Sequence, residues 1–359
     1  MLLVSSFVLF SLLFSSLHCD DDDNDRTAFS AEVGKARATA NKMAALDALR
    51  ETLGALIEED EKLDDSFRFL TTSTLKRYLR ARNGNVDKAA AMIRASVKWR
   101  KDTVANLMKN REKEAGGEFA IGKADHLSQM GCIFCEKKAG YHPMRQVGFD
   151  LGGRPIIYSV FSQANNYWFG VADAIAHLPT VLENSCLSMV GDVDSFVWVI
   201  DFTGFGLGCC NPMQGRTSIK LVLDHFPEQL GKAFMVNAPF VFSGFWAAIT
   251  PLLDKRTKNK ISFHRNEDKF RQAATGVIGP SLLDWLHEEI RLNKKRPIPP
   301  EQLNFWRKPS NPMTHDPRAC PEFISSHIEP FLEGGVAATG GFTPHPNIAS
   351  RSPPRNDSA

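Results

Sequence analysis

Cysteine and net charge are both scarce in this sequence, and each shortage excludes a class of protein. Only 7 cysteines occur in 359 residues, which is an odd and low number for a disulfide scaffold. The 43 basic and 41 acidic residues leave a net charge of +2, so there is no general reason to expect nucleic-acid binding. Long apolar runs are also missing, which argues against a protein with several membrane spans. The remaining composition, 43% hydrophobic and 23% charged, is that of an ordinary globular chain of about two domains.

Tyrosine is rare as well, with 4 residues against 25 phenylalanines. Phenylalanine suits places where no hydroxyl can be hydrogen-bonded, because a buried tyrosine must satisfy its O–H group. The excess of phenylalanine therefore favours a large dry interior or an apolar cavity.

The chain begins with an apolar leader that is followed by an acidic segment. Residues 1–19 contain the Ser-rich run Leu2 to Leu17, which is short for a spanning helix but typical of a signal peptide. The run lacks a basic start and a good cleavage site, so an uncleaved anchor and a mis-assigned start stay open as alternatives. Residues 20–40 are acidic and then small and polar, which is typical of a linker.

A helical region is predicted over residues 41–110. Apolar residues recur at helical spacing at Leu75, Tyr78 and Leu79, and Thr71 to Thr74 supply N-cap candidates. Gly84 can end this helix in the left-handed conformation, and Asp87 can cap the next one.

Short continuous apolar runs follow, which is the pattern of buried strands. They alternate with helical stretches near 171–190, 212–226 and 240–253, so we expect βαβ units and a mostly parallel sheet. The four runs are Ile156 to Phe161, Phe196 to Ile200, Ala233 to Val236 and Ile261 to Phe263. The sequence therefore predicts an α/β domain at 125–296 and a Pro-rich, largely disordered tail at 297–359.

Several chemical motifs are incomplete. Cys132 to Cys135 and two isolated histidines do not supply the spaced ligand pairs of a zinc site, so packed thiols are the preferred interpretation. Gly117 to Lys123 matches a P-loop, but Ala124 stands where a magnesium-binding Ser or Thr is required. The glycine cluster at 204–208 lacks the next glycine of a dinucleotide fingerprint, because Cys209 is there. We therefore expect no metal site, no nucleotide cofactor and no catalytic residue.

An apolar helix followed by cations is the most unusual feature of the chain. Lys255, Arg256, Lys258 and Lys260 come directly after it. One interpretation is a helix buried against the sheet. The other is a lid over a lipid cavity that dips into a bilayer, where each cation near an anionic surface is worth about 1 kcal/mol. The helix residues at helical spacing are Phe242, Phe245, Trp246, Ile249, Leu252 and Leu253.

Several motifs in order resemble the CRAL-TRIO lipid-binding family, the SEC-fourteen-like phospholipid transfer proteins. The segment from Leu75 to Arg100 resembles the N-terminal helical region of that family, and Gly152 to Tyr158 resembles its first-strand motif. Phe226 to Phe240 and Pro251 to Lys260 resemble its sheet end and gate helix. The resemblance covers roughly residues 70–265.

The resemblance implies a helical N-terminal lobe and an α/β lobe that encloses one lipid, with a gate helix that opens at the membrane. In members that bind phosphatidylinositol, the head-group contacts correspond here to Arg82, Glu228, Thr257 and Lys260. Arginine and lysine can pair with the phosphate, while glutamate and threonine can hydrogen-bond to inositol hydroxyls.

Two departures from the family pattern bear on the ligand. Phosphatidylinositol binders usually carry lysine where this chain has Asn83, so phosphate affinity is expected to be reduced. The hydroxyl and aromatic residues that hold choline are replaced by Gly206, Gly208 and Ile157, which argues against phosphatidylcholine.

The sequence therefore predicts a non-enzymatic, monomeric protein that binds one phospholipid, either phosphatidylinositol or a phosphoinositide. It would exchange this lipid between membranes through the gate helix, with no cofactor besides the lipid and with phospholipid and the membrane surface as partners. The alternative is an interaction module that holds another hydrophobic ligand and regulates a lipid kinase or small GTPase. Unpaired cysteines favour a cytoplasmic protein with transient membrane association, whereas a functional leader would direct it to the secretory pathway.

Overall fold

The computed structural model describes the N-terminal helices, the sheet and the C-terminal helices of the chain. The leader at 1–19, the segment from Gly117 to Cys135 and nearly all of the 297–359 tail lie outside the described residues, so the predictions made there stay predictions. Among the helices that are described, none is both long and apolar enough to cross a bilayer. The described residues are 23–62, 69–114, 144–162, 178–179, 181–183, 185–186, 189, 191–206, 212–297 and 299.

Helices form an N-terminal lobe with its own apolar core. Leu49, Leu75 and Ile93 are at most 1% exposed in this core. The helices are α1 Asp23–Thr52, α2 Gly54–Glu61, α3 Thr72–Ala81 and α4 Val86–Glu114. Helix therefore occupies most of the described residues between 41 and 110.

Helix α1 starts earlier than the composition predicts. It begins at Asp23 and runs through 23–40, part of the segment for which a linker is predicted. Residues 34–44 are exposed along it, so packing does not hold this part in place. Alanine, lysine and arginine are frequent in it, and these residues favour helix by intrinsic propensity.

The cap of α4 differs from the predicted one. Asn85, and not Asp87, caps this helix, because the Asn85 side chain accepts a hydrogen bond from the Lys88 N–H at 2.9 Å. Asp87 lies inside the first turn. At the start of α3 the prediction is confirmed, since the Thr71 hydroxyl oxygen accepts from the Thr74 N–H at 3.3 Å.

Five strands form one sheet, and their spatial order is the order of the chain. Strand β1 is antiparallel to β2, and all other neighbours are parallel. The strands are β1 Met144–Phe149, β2 Pro155–Val160, β3 Phe196–Asp201, β4 Leu230–Val236 and β5 Ile261–His264. The predicted α/β fold with a mostly parallel sheet is confirmed, while β1 has no counterpart in the prediction.

The first face of the sheet is covered by helices over most of its central strands. Tyr158, Val199 and Phe234 are 0% exposed on this face, where α8 and α9 contribute Phe270 and Leu286. The helices that follow the N-terminal lobe are α5 Pro212–His225, α6 Phe242–Ile249, α7 Lys255–Asn259, α8 Glu267–Ala274 and α9 Pro280–Asn293. A 3-10 turn, Thr250–Leu252, lies between α6 and α7.

The second face is covered only at its two ends. At the amino ends of the parallel strands, Phe196 packs with Phe226, which follows α5. At the carboxyl ends, Phe202 packs with α6. Between them, Trp198 and Ile200 of β3 are only partly buried. On the same strand the first-face residues Val197 and Val199 are 0% exposed, so the second face is the more open of the two along β3.

Candidate functional site

Glu228 and Lys260 meet at the amino ends of strands β4 and β5. Lys260 Nζ lies 3.3 Å from Glu228 Oε2, and the two side chains are 26% and 16% exposed. Phe226 and Gln229 are buried on either side of Glu228, which has a left-handed φ of 59°. Buried neighbours and a turned backbone therefore direct the Glu228 carboxylate toward the end of α7.

Helix α7 presents Thr257 and a group of cations. Asp254 caps it by accepting hydrogen bonds from the Thr257 N–H at 2.8 Å and the Thr257 hydroxyl at 3.1 Å. Although burial opposes the charge of Asp254, these bonds hold the pKa of its carboxyl below the ordinary value. The Asp254 carboxylate accepts its hydrogen bonds from Thr257, while the cations Lys255 and Arg256 are exposed at the surface.

Arg82 and Asn83 reach the same helix from the N-terminal lobe. Arg82 is the half-buried C-cap of α3, and its Nη1 donates to the Ala81 carbonyl at 3.3 Å. Asn83 follows with a φ of 52°, and its Oδ1 accepts from Arg256 Nη2 at 2.6 Å. The turn after α3 thus contacts α7 through Asn83, and the turn after α5 contacts Lys260, the C-cap of α7, through Glu228. Of the predicted head-group residues, Glu228 and Lys260 are in contact, Arg82 precedes Asn83 and Thr257 lies within α7, and their head-group role stays a prediction. The contact of Arg256 with Asn83 was not predicted, since no sequence spacing relates residues so far apart.

Helix α6, the predicted gate helix, lies against the carboxyl ends of the strands. Phe242, Ile249 and Leu253 are 5%, 5% and 8% exposed, so they face the interior. The Phe242 ring centroid lies 4.3 Å from that of Phe202. Trp246 is half-buried, with its ring centroid 5.1 Å from that of Phe263 on β5. The side chain of Phe245 lies outside the described residues.

The exposed apolar residues of this region are partly different from the predicted set. Leu252 belongs to that set and is 46% exposed, whereas Phe240 and Val241, just before α6, are 93% and 37% exposed. Sequence reasoning missed Phe240 and Val241, because they precede the helical spacing on which the prediction depends. Pro239 was the available signal, since proline favours a turn and Phe240 follows it directly.

Two family models match the chain along these elements. The CRAL/TRIO domain matches residues 141–276, and the CRAL/TRIO N-terminal domain matches residues 45–95. The chain belongs to the CRAL-TRIO family. The resemblance seen in the sequence is thereby confirmed.

CRAL-TRIO relatives match this chain at modest identity. A CRAL-TRIO domain-containing protein of Schizosaccharomyces pombe is 28% identical over 67% of this chain and 22% of its own length. The phosphatidylinositol transfer protein CSR1 of Eremothecium gossypii is 29% identical over 53% of this chain and 41% of its own. The SEC14 cytosolic factor of the same organism is 26% identical over 62% of this chain and 68% of its own length. The crystal structure of Sfh5 covers 70% of this chain and 85% of its own, with 15% identity and a TM-score of 0.48.

A polar network joins the CRAL-TRIO N-terminal domain to the turn that carries Glu228. The Tyr78 hydroxyl donates to Ser96 Oγ at 2.8 Å, and Ser96 Oγ donates to the Asp224 carbonyl at 3.0 Å. The His225 ring stacks on Trp99 with centroids 4.2 Å apart. Burial is the main cause that lowers the pKa of His225, to about 4, and the nearby Arg100 charge adds to it. This contact therefore requires a neutral imidazole.

We expect the His225 contact to make the protein less stable as the pH falls. The folded pKa of about 4 is below the ordinary value of 6.5, so the unfolded chain takes up the proton first. The contribution is fully present above pH 6.5 and is lost as the pH falls toward 4. After allowance for solvent screening of a half-buried ring, the loss is about 1–2 kcal/mol. Urea unfolding of the wild type and of His225→Phe at several pH values measures it.

The His225→Phe variant keeps an aromatic ring on Trp99 and removes the titrating group. Its free energy of unfolding should therefore depend less on pH between 7 and 4 than that of the wild type. The matched control is His287→Gln on α9, where the imidazole contacts Asp268 and not the interface between the domains. Equal pH dependence in His225→Phe and the wild type would contradict the assignment.

A metal site is absent from the part of the chain that the structure describes. No group of three or more His, Cys, Asp or Glu side chains that could hold a metal ion occurs there. An open depression of about 510 Å³ between β5 and α8 has a mixed polar and apolar lining that includes the cations Arg265 and Lys269. Its lining residues are Phe263, His264, Arg265, Lys269, Gln272 and Ala273.

Proposed function

We propose that this protein binds a single phospholipid, phosphatidylinositol or a phosphoinositide, and transfers or presents it between membranes without covalent chemistry. The observation that carries the proposal is that two distant turns contact helix α7 and its C-cap, one through Asn83 and Arg256 and the other through Glu228 and Lys260. Membership of the CRAL-TRIO family and the similarity to a phosphatidylinositol transfer protein support it.

The chemistry of the predicted head-group residues suits a phosphorylated polyol. Arg82 and Lys260 supply the positive charge that a phosphate diester requires. Lys260 has three donors, so its bond to Glu228 leaves two more for a ligand. The Glu228 carboxylate and the Thr257 hydroxyl can accept hydrogen bonds from inositol hydroxyls. A choline head group offers no such donors, so inositol is the favoured ligand.

Arg256 supports the phosphate assignment in spite of the missing lysine at position 83. Its guanidinium lies 2.6 Å from Asn83 Oδ1, so a cation stands beside the place where other family members carry one. Asn83 uses one N–H of this group, and guanidinium has five. The reduction in phosphate affinity expected from the sequence is therefore smaller than the loss of a full charge.

The acyl chains fit the second face of the sheet. The head-group residues are at the amino ends of β4 and β5, while α6 covers the carboxyl ends. Strand β4 has seven residues, which corresponds to about 23 Å at ~3.3 Å per residue. One leaflet of a bilayer core is about 15 Å thick, so the strand is long enough to lie alongside acyl chains that fill one leaflet. The partly buried Trp198 and Ile200 line the path between the two ends.

The protein surface that would face the membrane combines exposed apolar groups and cations. Phe240, Val241 and Leu252 flank α6, and Lys255 and Arg256 follow on α7. Apolar side chains of this kind insert at the interface, while each cation near an anionic surface adds about 1 kcal/mol. The buried residues Phe242, Ile249 and Leu253 would reach lipid only when α6 moves away from the sheet, which is the motion expected of a gate.

Native mass spectrometry of the purified full chain tests the proposal directly. We expect a bound species with the mass of one phospholipid, identified as an inositol lipid by fragmentation after extraction. The control is the same chain delipidated and incubated with vesicles of phosphatidylcholine alone or with added phosphatidylinositol, where uptake should favour the inositol lipid. A chain that takes up no phospholipid in either setting would favour the interaction module instead.

A further inference from the structure

The segment that carries α6 is held at two points, one where it leaves β4 and one where α7 begins. It connects β4 to β5, which are neighbouring parallel strands. Asn237 is the exit, and its backbone N–H donates to the His264 carbonyl at the end of β5 at 2.9 Å. At the other end Asp254 caps α7. Residues 238–253 between these points are called the gate segment below.

Asn237 adopts a conformation that its side chain helps to hold. Its φ of 58° is left-handed, a region that residues other than glycine rarely occupy. The side-chain Nδ2 donates to Thr203 Oγ1 at 3.1 Å and to Asp201 Oδ1 at 3.3 Å. Thr203 and Asp201 are 8% and 0% exposed. The amide thus ties the exit of the gate segment to a buried turn.

The turn that receives this amide is rigid. Asp201 accepts from the Tyr158 hydroxyl at 3.0 Å, from the Thr203 N–H at 2.9 Å and from the Thr203 hydroxyl at 2.6 Å. Gly204 follows with a φ of 81°, and a Cβ there would lie 2.6 Å from the Ser162 Cα. The backbone of the turn is therefore pressed against the end of β2 and cannot follow a movement of the gate segment.

The same turn also supports α6 itself. Phe202 lies between Asp201 and Thr203, and its ring packs on Phe242, the first residue of α6. Its N–H donates to the Val236 carbonyl at 2.8 Å. If α6 leaves the sheet, the two rings separate and the chain turns at the residue after Val236, which is Asn237.

We propose that Asn237 is the positioning residue that sets how readily the gate segment opens and therefore how fast a bound lipid exchanges. The lipid part of this inference rests on the proposed function, whereas the opening of the segment can be measured without any lipid. The test variant is Asn237→Gly, because glycine adopts the left-handed conformation without strain and removes only the amide. Asp201 keeps three donors in this variant, so its buried carboxylate stays satisfied and the fold is retained.

Amide hydrogen exchange, followed by mass spectrometry on the delipidated full chain, measures the opening. In Asn237→Gly we expect exchange over 238–249 to be roughly tenfold faster, the size expected for one lost hydrogen bond to a charged group. Exchange in α9 should be unchanged. The matched control is Asn85→Gly, the same replacement at the asparagine that caps α4 in the N-terminal lobe, which should leave 238–249 at the wild-type rate. Thr203→Val removes one of the two acceptors of the amide, so it should accelerate exchange over 238–249 in the same direction by a smaller factor, and it serves if Asn237→Gly does not fold.

Release of phosphatidylinositol with a fluorescent acyl chain into excess unlabelled vesicles measures the consequence. A release rate that rises together with the exchange rate supports the role of Asn237. Unchanged exchange over 238–249, equal acceleration in α9, or faster exchange with unchanged lipid release would each overturn it. If the wild type binds no phospholipid at all, the proposed function fails by that result, while hydrogen exchange still decides whether Asn237 holds the segment.

Discussion

Replacing Lys260 by methionine together with Glu228 by glutamine is expected to lower phosphatidylinositol transfer between vesicles at least tenfold. Hydrogen bonds to charged groups contribute about 1.5–3 kcal/mol, and each ~1.4 kcal/mol is a factor of ten in affinity. The fold should survive, because a partly exposed ion pair contributes only about 0–1 kcal/mol. Glutamine also keeps the shape of Glu228 in its left-handed turn. The measurement is the transfer of labelled phosphatidylinositol, with thermal unfolding recorded in parallel.

The matched control for this experiment is Lys255→Met. It removes a cation from the same helix, α7, without touching the contact between Glu228 and Lys260. We expect it to weaken binding to anionic vesicles and to leave the preference for phosphatidylinositol over phosphatidylcholine intact. If the folded double variant transfers phosphatidylinositol at the wild-type rate, the head-group assignment is wrong.

Replacing Glu183 by alanine is expected to lower the free energy of unfolding by about 3 kcal/mol, as for the removal of one partner of a buried ion pair. Glu183 Oε1 lies 2.6 Å from Arg100 Nη1, with side chains 18% and 16% exposed. The Arg100 guanidinium also packs 3.9 Å from the Phe69 ring centroid. Burial opposes the charge of Arg100, but Glu183 outweighs it and raises the pKa of Arg100. Without Glu183 the buried cation has lost its carboxylate. Urea denaturation measures the change.

A double replacement separates the burial of an uncompensated charge from a simple loss of packing. Arg100→Met with Glu183→Leu removes both charges and keeps apolar volume, so it should recover most of the stability. Glu59→Ala is the control, since Glu59 pairs with Lys101, the next residue of α4, at the surface. It should change stability little. A double variant as unstable as Glu183→Ala would show that packing, and not charge, accounts for the loss.

The strands that could be predicted from the sequence are those that carry a continuous apolar run. Strands β2 to β5 carry continuous apolar runs, and the structure has strands at all four. Strand β1 was missed because Arg145 and Gln146 interrupt its pattern, although Gln146 is only 1% exposed. Its register also shifts between Gln146 and Gly148, which breaks the alternation that indicates an antiparallel edge. A continuous apolar run therefore identifies a strand even at the β5 edge, whereas the interrupted pattern of the β1 edge does not.

The candidate site could be predicted only where the family resemblance supplied the residues. Glu228 and Lys260 are 32 positions apart, and only the pairing of β4 with β5 brings them together. The orientation of α6 was left open by the pattern, since apolar residues at helical spacing fit both burial against the sheet and a lid over a cavity. Tertiary contacts with Phe202 decide that Phe242 faces inward while the preceding Phe240 stays exposed.

The order of the strands also bears on how the chain is made. From β2 to β5 each strand pairs with the strand synthesised before it, so the sheet can grow as the polypeptide leaves the ribosome. Helix α9, which covers the first face, comes last, at Pro280–Asn293. Until it emerges, side chains such as Tyr158, Val199 and Phe234 are open to water along the whole sheet. A nascent chain stalled at that stage exposes a large apolar surface, which chaperones bind and which otherwise leads to aggregation.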